Sequence, residues 1–237
     1  MASGSAGRGV LEPSRAQIED VRLAVYGAFA ATGRAPEFTK LSATTGLPYA
    51  HIEAALQTLH ERRDLVLGAD GRIVMAHPFA AIPLGFSVMG DNTLWWGGCA
   101  WDSFAIPHVV TDEPRVLVAT TCPACDTAHA FRVSRDGPPA GDQLAHFLTP
   151  VARIWNDVVH SCAHQRIFCT DGCVEDWLQR TGNARGYVMD LATLWRLARG
   201  WYAGRLERGY QRREPIEAAS YFASVGLSGP FWGLPDA

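Results

Sequence analysis

The chain has 237 residues, 48% of them hydrophobic, and a formal net charge of -3. That length and composition suit a globular protein of one large domain or two small ones, and the near-neutral charge exclude a global pull toward nucleic acid or an anionic membrane surface. No run is long and apolar enough to span a bilayer, and Met1 to Leu11 lacks the apolar centre of a secretory signal.

Residues 1–12 read as a disordered leader. With no signal sequence, the expected compartment is the reducing cytoplasm, where cysteines serve as ligands or nucleophiles more often than as disulfides. There are six: Cys99, Cys122, Cys125, Cys162, Cys169 and Cys173. None lies in residues 1–98, which hints at two modules.

Glu12 to Thr32 reads as a helix. Pro13 suits a first turn, Ile18, Val21, Val25 and Phe29 recur at helical spacing, and Gly33 ends it. A short helix over Lys40 to Thr45 stops at Gly46. Pro48 opens a longer one to about His60, with Ile52, Ala55, Leu56 and Leu59 on one face. Leu65 to Met75 holds two short strands about Asp70-Gly71, a hairpin signal. Helix, helix, helix, hairpin is the order of a winged helix. The third helix carries no Lys or Arg, and phosphate contacts need cations, so this module is expected to pack rather than to bind DNA.

Ala76 to Pro83 reads as a connector, and Leu84 to Val88 and Thr93 to Trp96 as strands. Trp95 to Pro107 follows, aromatic-rich and poor in charge, with Cys99 three residues before Asp102. If the stretch turns helically, the two share a face, a soft sulfur beside a group that carries a proton. The plainer alternative is a buried cysteine near a helix-capping aspartate. Arg115 to Thr120 and Ala128 to Val133 form a hairpin whose tip carries Cys122-Pro123-Ala124-Cys125. Pro150 to Asp157 fits strand or helix, and Arg166 to Cys169 a short strand. Thr170 or Asp171 caps a helix with Val174, Trp177 and Leu178 that stops at Gly182. Arg185 to Met189 is a short strand. Asp190 caps a final helix with a wide apolar face and a row of arginines from Arg196 to Arg213, read as a solvated face. The tail from Glu214 to Ala237 is rich in Gly, Pro and aromatics and either packs over the domain or closes a pocket.

Three readings of the cysteines compete. Cys122 and Cys125 form a knuckle that Cys162, Cys169 and Cys173 can complete into a zinc site, although the spacing of the last three is not that of a second CxxC. The CxxC can act in thiol redox chemistry, although a hairpin tip lacks the helix N-terminus that favours a thiolate. Third, Cys99, Asp102 and Cys162 make one site, with Cys122 a buried structural cysteine and Cys125, Cys169 and Cys173 plain helix and loop residues.

The third reading carries a resemblance. Cys99-Ala-Trp-Asp102-Ser-Phe-Ala-Ile-Pro107 resembles the Cys-Ala-Leu-Asp-x-x-x-x-Pro segment of the organomercurial (alkylmercury) lyases. Ser161-Cys162-Ala163-His164-Gln165-Arg166-Ile167-Phe168, followed by Glu175-Asp176-Trp177, is similar to that family's second-cysteine segment and the helix after it. The likeness spans roughly residues 13–210, including an N-terminal module that in the family is winged-helix-like. Gly98 departs from it, standing where an aromatic residue usually precedes the first cysteine. By its small size Gly98 is expected to widen the pocket.

The resemblance implies an α+β fold: a winged-helix-like N-terminal module (13–80) packed on a small mixed or antiparallel β-sheet catalytic domain with flanking helices (81–213), then a tail (214–237). It implies protonolysis of the carbon–mercury bond, giving a hydrocarbon and Hg(II), for mercury detoxification. Cys99, Asp102 and Cys162 are the catalytic residues and the ligands of substrate and product mercury. The chemistry suits them, since mercury is soft and prefers thiolates, and the departing carbon needs an acid within reach. No organic cofactor is expected. The partners are the organomercurial, cytosolic thiols that extract the product, and a mercuric reductase, with no nucleic acid and no membrane. The rival reading is a winged-helix, metal-responsive transcriptional regulator with a cysteine sensing domain.

Overall fold

The computed structural model describes residues 12–236; the proposed leader, apart from Glu12, lies outside them. Helix α1 (Arg15–Thr32) is capped by Ser14, whose Oγ accepts from the Gln17 amide, so Pro13 sits before the cap rather than in the first turn. Gly33 at φ 68 and Gly46 at φ 72 end α1 and α2 (Phe38–Thr45) in the left-handed conformation that glycine adopts without a Cβ clash. Helix α3 (Tyr49–Glu61) buries Ile52, Ala55, Leu56 and Leu59 as their spacing predicts. Strands β1 (Val66–Leu67) and β2 (Ile73–Ala76) then pair antiparallel.

The expected connector is not one. Phe79–Ala80 forms a strand, β3, that pairs with β2 on one side and with β5 (Leu94–Gly97) on the other. Two residues are too few to show an alternation, and only their neighbours make them a strand. The sheet therefore runs without a break from the N-terminal hairpin through β3, β5, β4 (Ser87–Met89), β6 (Arg115–Thr121) and β7 (Ala128–Ser134), seven strands in the order β1-β2-β3-β5-β4-β6-β7. A second sheet, β10-β8-β9, joins Tyr187–Asp190, Leu144–Phe147 and Gln165–Phe168. Every recorded pairing is antiparallel, so the architecture is mixed helix and antiparallel sheet.

Helix α4 (Ala100–Val109) is the central element. All of its residues but His108 are buried, it packs along α7 (Leu191–Trp201), and it touches strands of both sheets. A helix apolar all round belongs inside the core. It runs through Pro107 to Val109. α1 is welded to the large sheet by Trp95, which is buried and donates its indole N–H to the Phe29 carbonyl at 2.9 Å, and by Phe29 stacked on Phe79 at 5.7 Å. Burying an indole of about 150–250 Å² contributes about 4–6 kcal/mol before entropy is counted.

Between α7 and the tail, the arginine row does not continue a helix. Arg205 is buried and donates to Tyr26 Oη at 3.0 Å and the Asp64 carbonyl at 3.2 Å, while Arg22 donates to the Arg205 carbonyl at 2.7 Å. This clamps the segment after α7 onto α1 and, at Arg205, corrects the expectation of a solvated face; Arg196, Arg199 and Arg208 are exposed as expected. Nor is α7 the final helix: the tail forms α8 (Pro215–Ser224). Among the described residues no helix is long and apolar enough to cross a membrane.

Candidate active site

Cys99 is the N-cap of α4, and Asp102 sits in its first turn. The Asp102 amide donates to Cys99 Sγ at 3.4 Å, and Ser103 Oγ donates to the Cys99 carbonyl at 2.6 Å. The roles are thus the reverse of the plainer alternative: the cysteine caps, and the aspartate is free to do something else. Its carboxylate is 1% exposed and accepts from Tyr202 Oη at 2.5 Å.

Cys162 comes from α5 (Val158–Ala163), a six-residue helix capped by Asp157. Its Sγ lies 4.0 Å from Asp102 Oδ2 and 3.5 Å from His77 Nε2. His77 Nε2 is in turn 4.0 Å from Asp102 Oδ2. The three predicted residues therefore meet, 60 residues of sequence apart, and all three are buried. Sequence reasoning missed His77, hidden in the supposed connector, and Tyr202, read only as part of an apolar helix face; neither carries a local pattern.

The two thiols are unlike. Burial pushes the Cys99 thiol well up, and the neighbouring Cys162 and Asp102 push the same way. Cys162 is lowered: the hydrogen bond from Cys99 outweighs burial, and His77 adds to it. Burial works against a charged His77, yet the Asp102 carboxylate and Cys162 outweigh it and leave its pKa raised. The site thus eases deprotonation of Cys162, opposes it at Cys99, and holds a proton on His77 more firmly than water would.

Gly98 does not widen a pocket. A Cβ there would collide with Asp102 Oδ2 and approach Met75 Cε to 2.6 Å, so its smallness makes room for the carboxylate. The cavity, of about 720 Å³, is lined by both thiols, Asp102, Trp101, Trp155 and Tyr202, with Arg62, Arg63, Arg212 and Arg213 among its other residues. The tail closes one side, with Phe222 and Trp232 both 6.1 Å from the Trp101 ring.

His164 and Glu175, which belong to the second matched segment and could serve as ligand or acid, have other partners. His164 Nδ1 bonds the His160 carbonyl at 2.7 Å, a local contact. Glu175 pairs with Arg185 at the start of α6 (Asp171–Thr181). Cys122, Cys125, Cys169 and Cys173 are not plain residues, for their sulfurs all lie within 4.8 Å of one another in a second cluster.

Comparison with known proteins identifies the family. No curated protein matches the chain. The crystal structure of the mercury-bound form of MerB2 has a similar fold, with a TM-score of 0.59 at 17% identity over 79% of this chain and 90% of that one. The family model for alkylmercury lyase, MerB, matches residues 79–203, more than half of the chain, a segment that contains Cys99, Asp102, Cys162 and Tyr202. Neither match favours the transcriptional-regulator reading, and the chain belongs to the alkylmercury lyase family.

Proposed function

We propose that Cys99, Cys162 and Asp102 carry out the carbon–mercury protonolysis of this lyase, with His77 and Tyr202 setting their protonation. Cys162, as thiolate, displaces the carrier thiolate from R–Hg and binds the metal. Cys99 then passes its proton to the Asp102 carboxylate and becomes the second sulfur ligand. Two thiolates raise electron density at mercury and weaken the bond to carbon. Asp102 returns the proton to that carbon, giving RH, with Hg(II) left between the two sulfurs and the regenerated carboxylate. Charge balances at each stage: one proton travels from Cys99 to the hydrocarbon, and the second thiolate replaces the carbanion.

The observation that carries the reading is the buried Asp102, whose amide bonds one thiol and whose Oδ2 lies 4.0 Å from the other. Asp102→Ala should abolish methane release from methylmercury in headspace analysis with excess thiol while leaving mercury binding intact. Unchanged turnover would sink the mechanism. Cys99→Ser and Cys162→Ser, run alongside, should each lose turnover.

The accessory readings belong to the same proposal. Residues 13–80 serve as a winged-helix-like module used for packing, supported by the three helices and hairpin and by an α3 without Lys or Arg. The lyase works in the cytoplasm without an organic cofactor, and small thiols or a mercuric reductase take the product by ligand exchange.

A further inference from the structure

Away from the catalytic cavity, four cysteines from three elements converge. Cys122 and Cys125 sit at the tip between β6 and β7, where the Cys122 amide donates to the Thr127 carbonyl and Asp126 turns at φ 57 with its amide on the Cys122 carbonyl. Cys169 follows β9, and Cys173 lies in the first turn of α6, which Thr170 caps. We propose that Cys122, Cys125, Cys169 and Cys173 form a structural zinc site that joins the β6–β7 hairpin to β9 and α6.

Distances support a tetrahedral ion. With Zn–S of about 2.3 Å, the edge of a sulfur tetrahedron is about 3.8 Å. Cys125 Sγ lies 3.5 Å from Cys169 Sγ and 3.9 Å from Cys173 Sγ, and all four sulfurs fall within 4.8 Å of one another. A disulfide needs about 2.05 Å, and all six cysteines are free. The sequence objection to zinc was that Cys162, Cys169 and Cys173 are not spaced as a second CxxC. It fails because the second pair is not a knuckle: one ligand ends a strand and the other opens a helix.

Outer contacts fit a fixed ligand set. His129 Nε2 is 3.5 Å from Cys169 Sγ, and Thr127 Oγ1 is 3.2 Å from Cys125 Sγ. Arg180, on α6, donates to the Pro123 and Ala124 carbonyls at 3.0 and 2.9 Å, holding the knuckle to the helix and placing a cation near the anionic tetrathiolate. Binding is balanced as Zn²⁺ plus four thiols giving a dianionic zinc tetrathiolate and four protons.

The fold has a use for such a tie. This corner lies outside the main core, and its buried apolar cluster is only Cys122, Phe168, Val174, Trp177 and Leu178. Small clusters need a staple. A redox role is disfavoured by the crowding of four sulfurs. Relay of product mercury is disfavoured because none of the four lines the catalytic cavity.

The test is metal analysis and native mass spectrometry of the full chain purified without added metal. About one zinc per chain is expected, lost on strong chelation together with a fall in Tm that added zinc reverses. Cys125→Ser and Cys173→Ser should lose the zinc, whereas Cys99→Ser and Cys162→Ser should keep it, which separates this site from the catalytic one. Cobalt substitution of the wild type should give a tetrahedral tetrathiolate spectrum, a readout that does not depend on the variants folding. Protein that neither carries nor takes up zinc, that holds iron there instead, or whose zinc follows Cys99 and Cys162 would overturn the proposal.

Discussion

At the scale of the residue, the buried Asp102 carboxylate is positioned by what is missing beside it. Gly98 leaves the space that Asp102 Oδ2 and Met75 Cε fill, while Tyr202 fixes the other carboxylate oxygen. Met75 ends in a flexible methyl that can yield, whereas Asp102 is held on a buried helix. Gly98→Ala should therefore cost about 1–3 kcal/mol through overpacking and lower hydrocarbon release by moving Asp102 relative to the thiols. Urea unfolding and headspace turnover check the two effects separately, and an alanine variant equal to wild type in both would remove this role. The short segment around Cys99 made the thiol and carboxylate legible, because both lie within one helical turn. The reason for Gly98 was not legible, because Met75 reaches it from β2, and His77 was hidden by the same distance.

At the scale of the element, caps read well and brief segments read badly. Gly33, Gly46, Thr170, Gly182 and Asp190 mark helix ends where the sequence placed them. β3, β8 and α5 were missed: two, four and six residues respectively, too short for a period to repeat. α8 did carry a signal that was overlooked, Pro215 at N1 with Glu217 completing a capping box on Glu214. That helix and the aromatic turn after it wall the cavity through Phe222 and Trp232, 4.9 Å apart. Trp232 is 1% exposed, so Trp232→Ala should cost about 3–5 kcal/mol. A denaturant midpoint within error of wild type would show that the tail is not part of the core.

At the scale of the whole molecule, histidines shielded wholly or partly from water tie stability to acidity. Burial, with Arg185, pushes His146 down to about 4, and its Nε2 accepts the Gly186 amide at 3.0 Å, a bond that protonation breaks. Burial, with Arg135 and Arg199, likewise pushes His108 down to about 4. Both folded values lie below the ordinary 6.5, so between the two the unfolded chain binds more protons. The stabilisation they provide is complete above about pH 6.5 and is lost as pH falls through about 4. His77, raised, acts in the opposite sense, losing its contribution as pH rises. His129 is lowered by burial as well, so with three groups against one the urea midpoint should fall between about pH 7 and pH 5; an unchanged midpoint would contradict the assignment.

The continuity of the large sheet has a consequence for where the chain can be cut. The family match begins at Phe79, the first residue of β3, whose partners Met75 and Ala76 lie just outside it. A fragment starting there would keep Cys99, Cys162 and Asp102 yet leave β3 with open amides and carbonyls along a short apolar edge, a template for chain-to-chain pairing. The N-terminal hairpin therefore covers an edge as well as extending the sheet, and a fragment cut at Phe79 should aggregate more readily than the full chain.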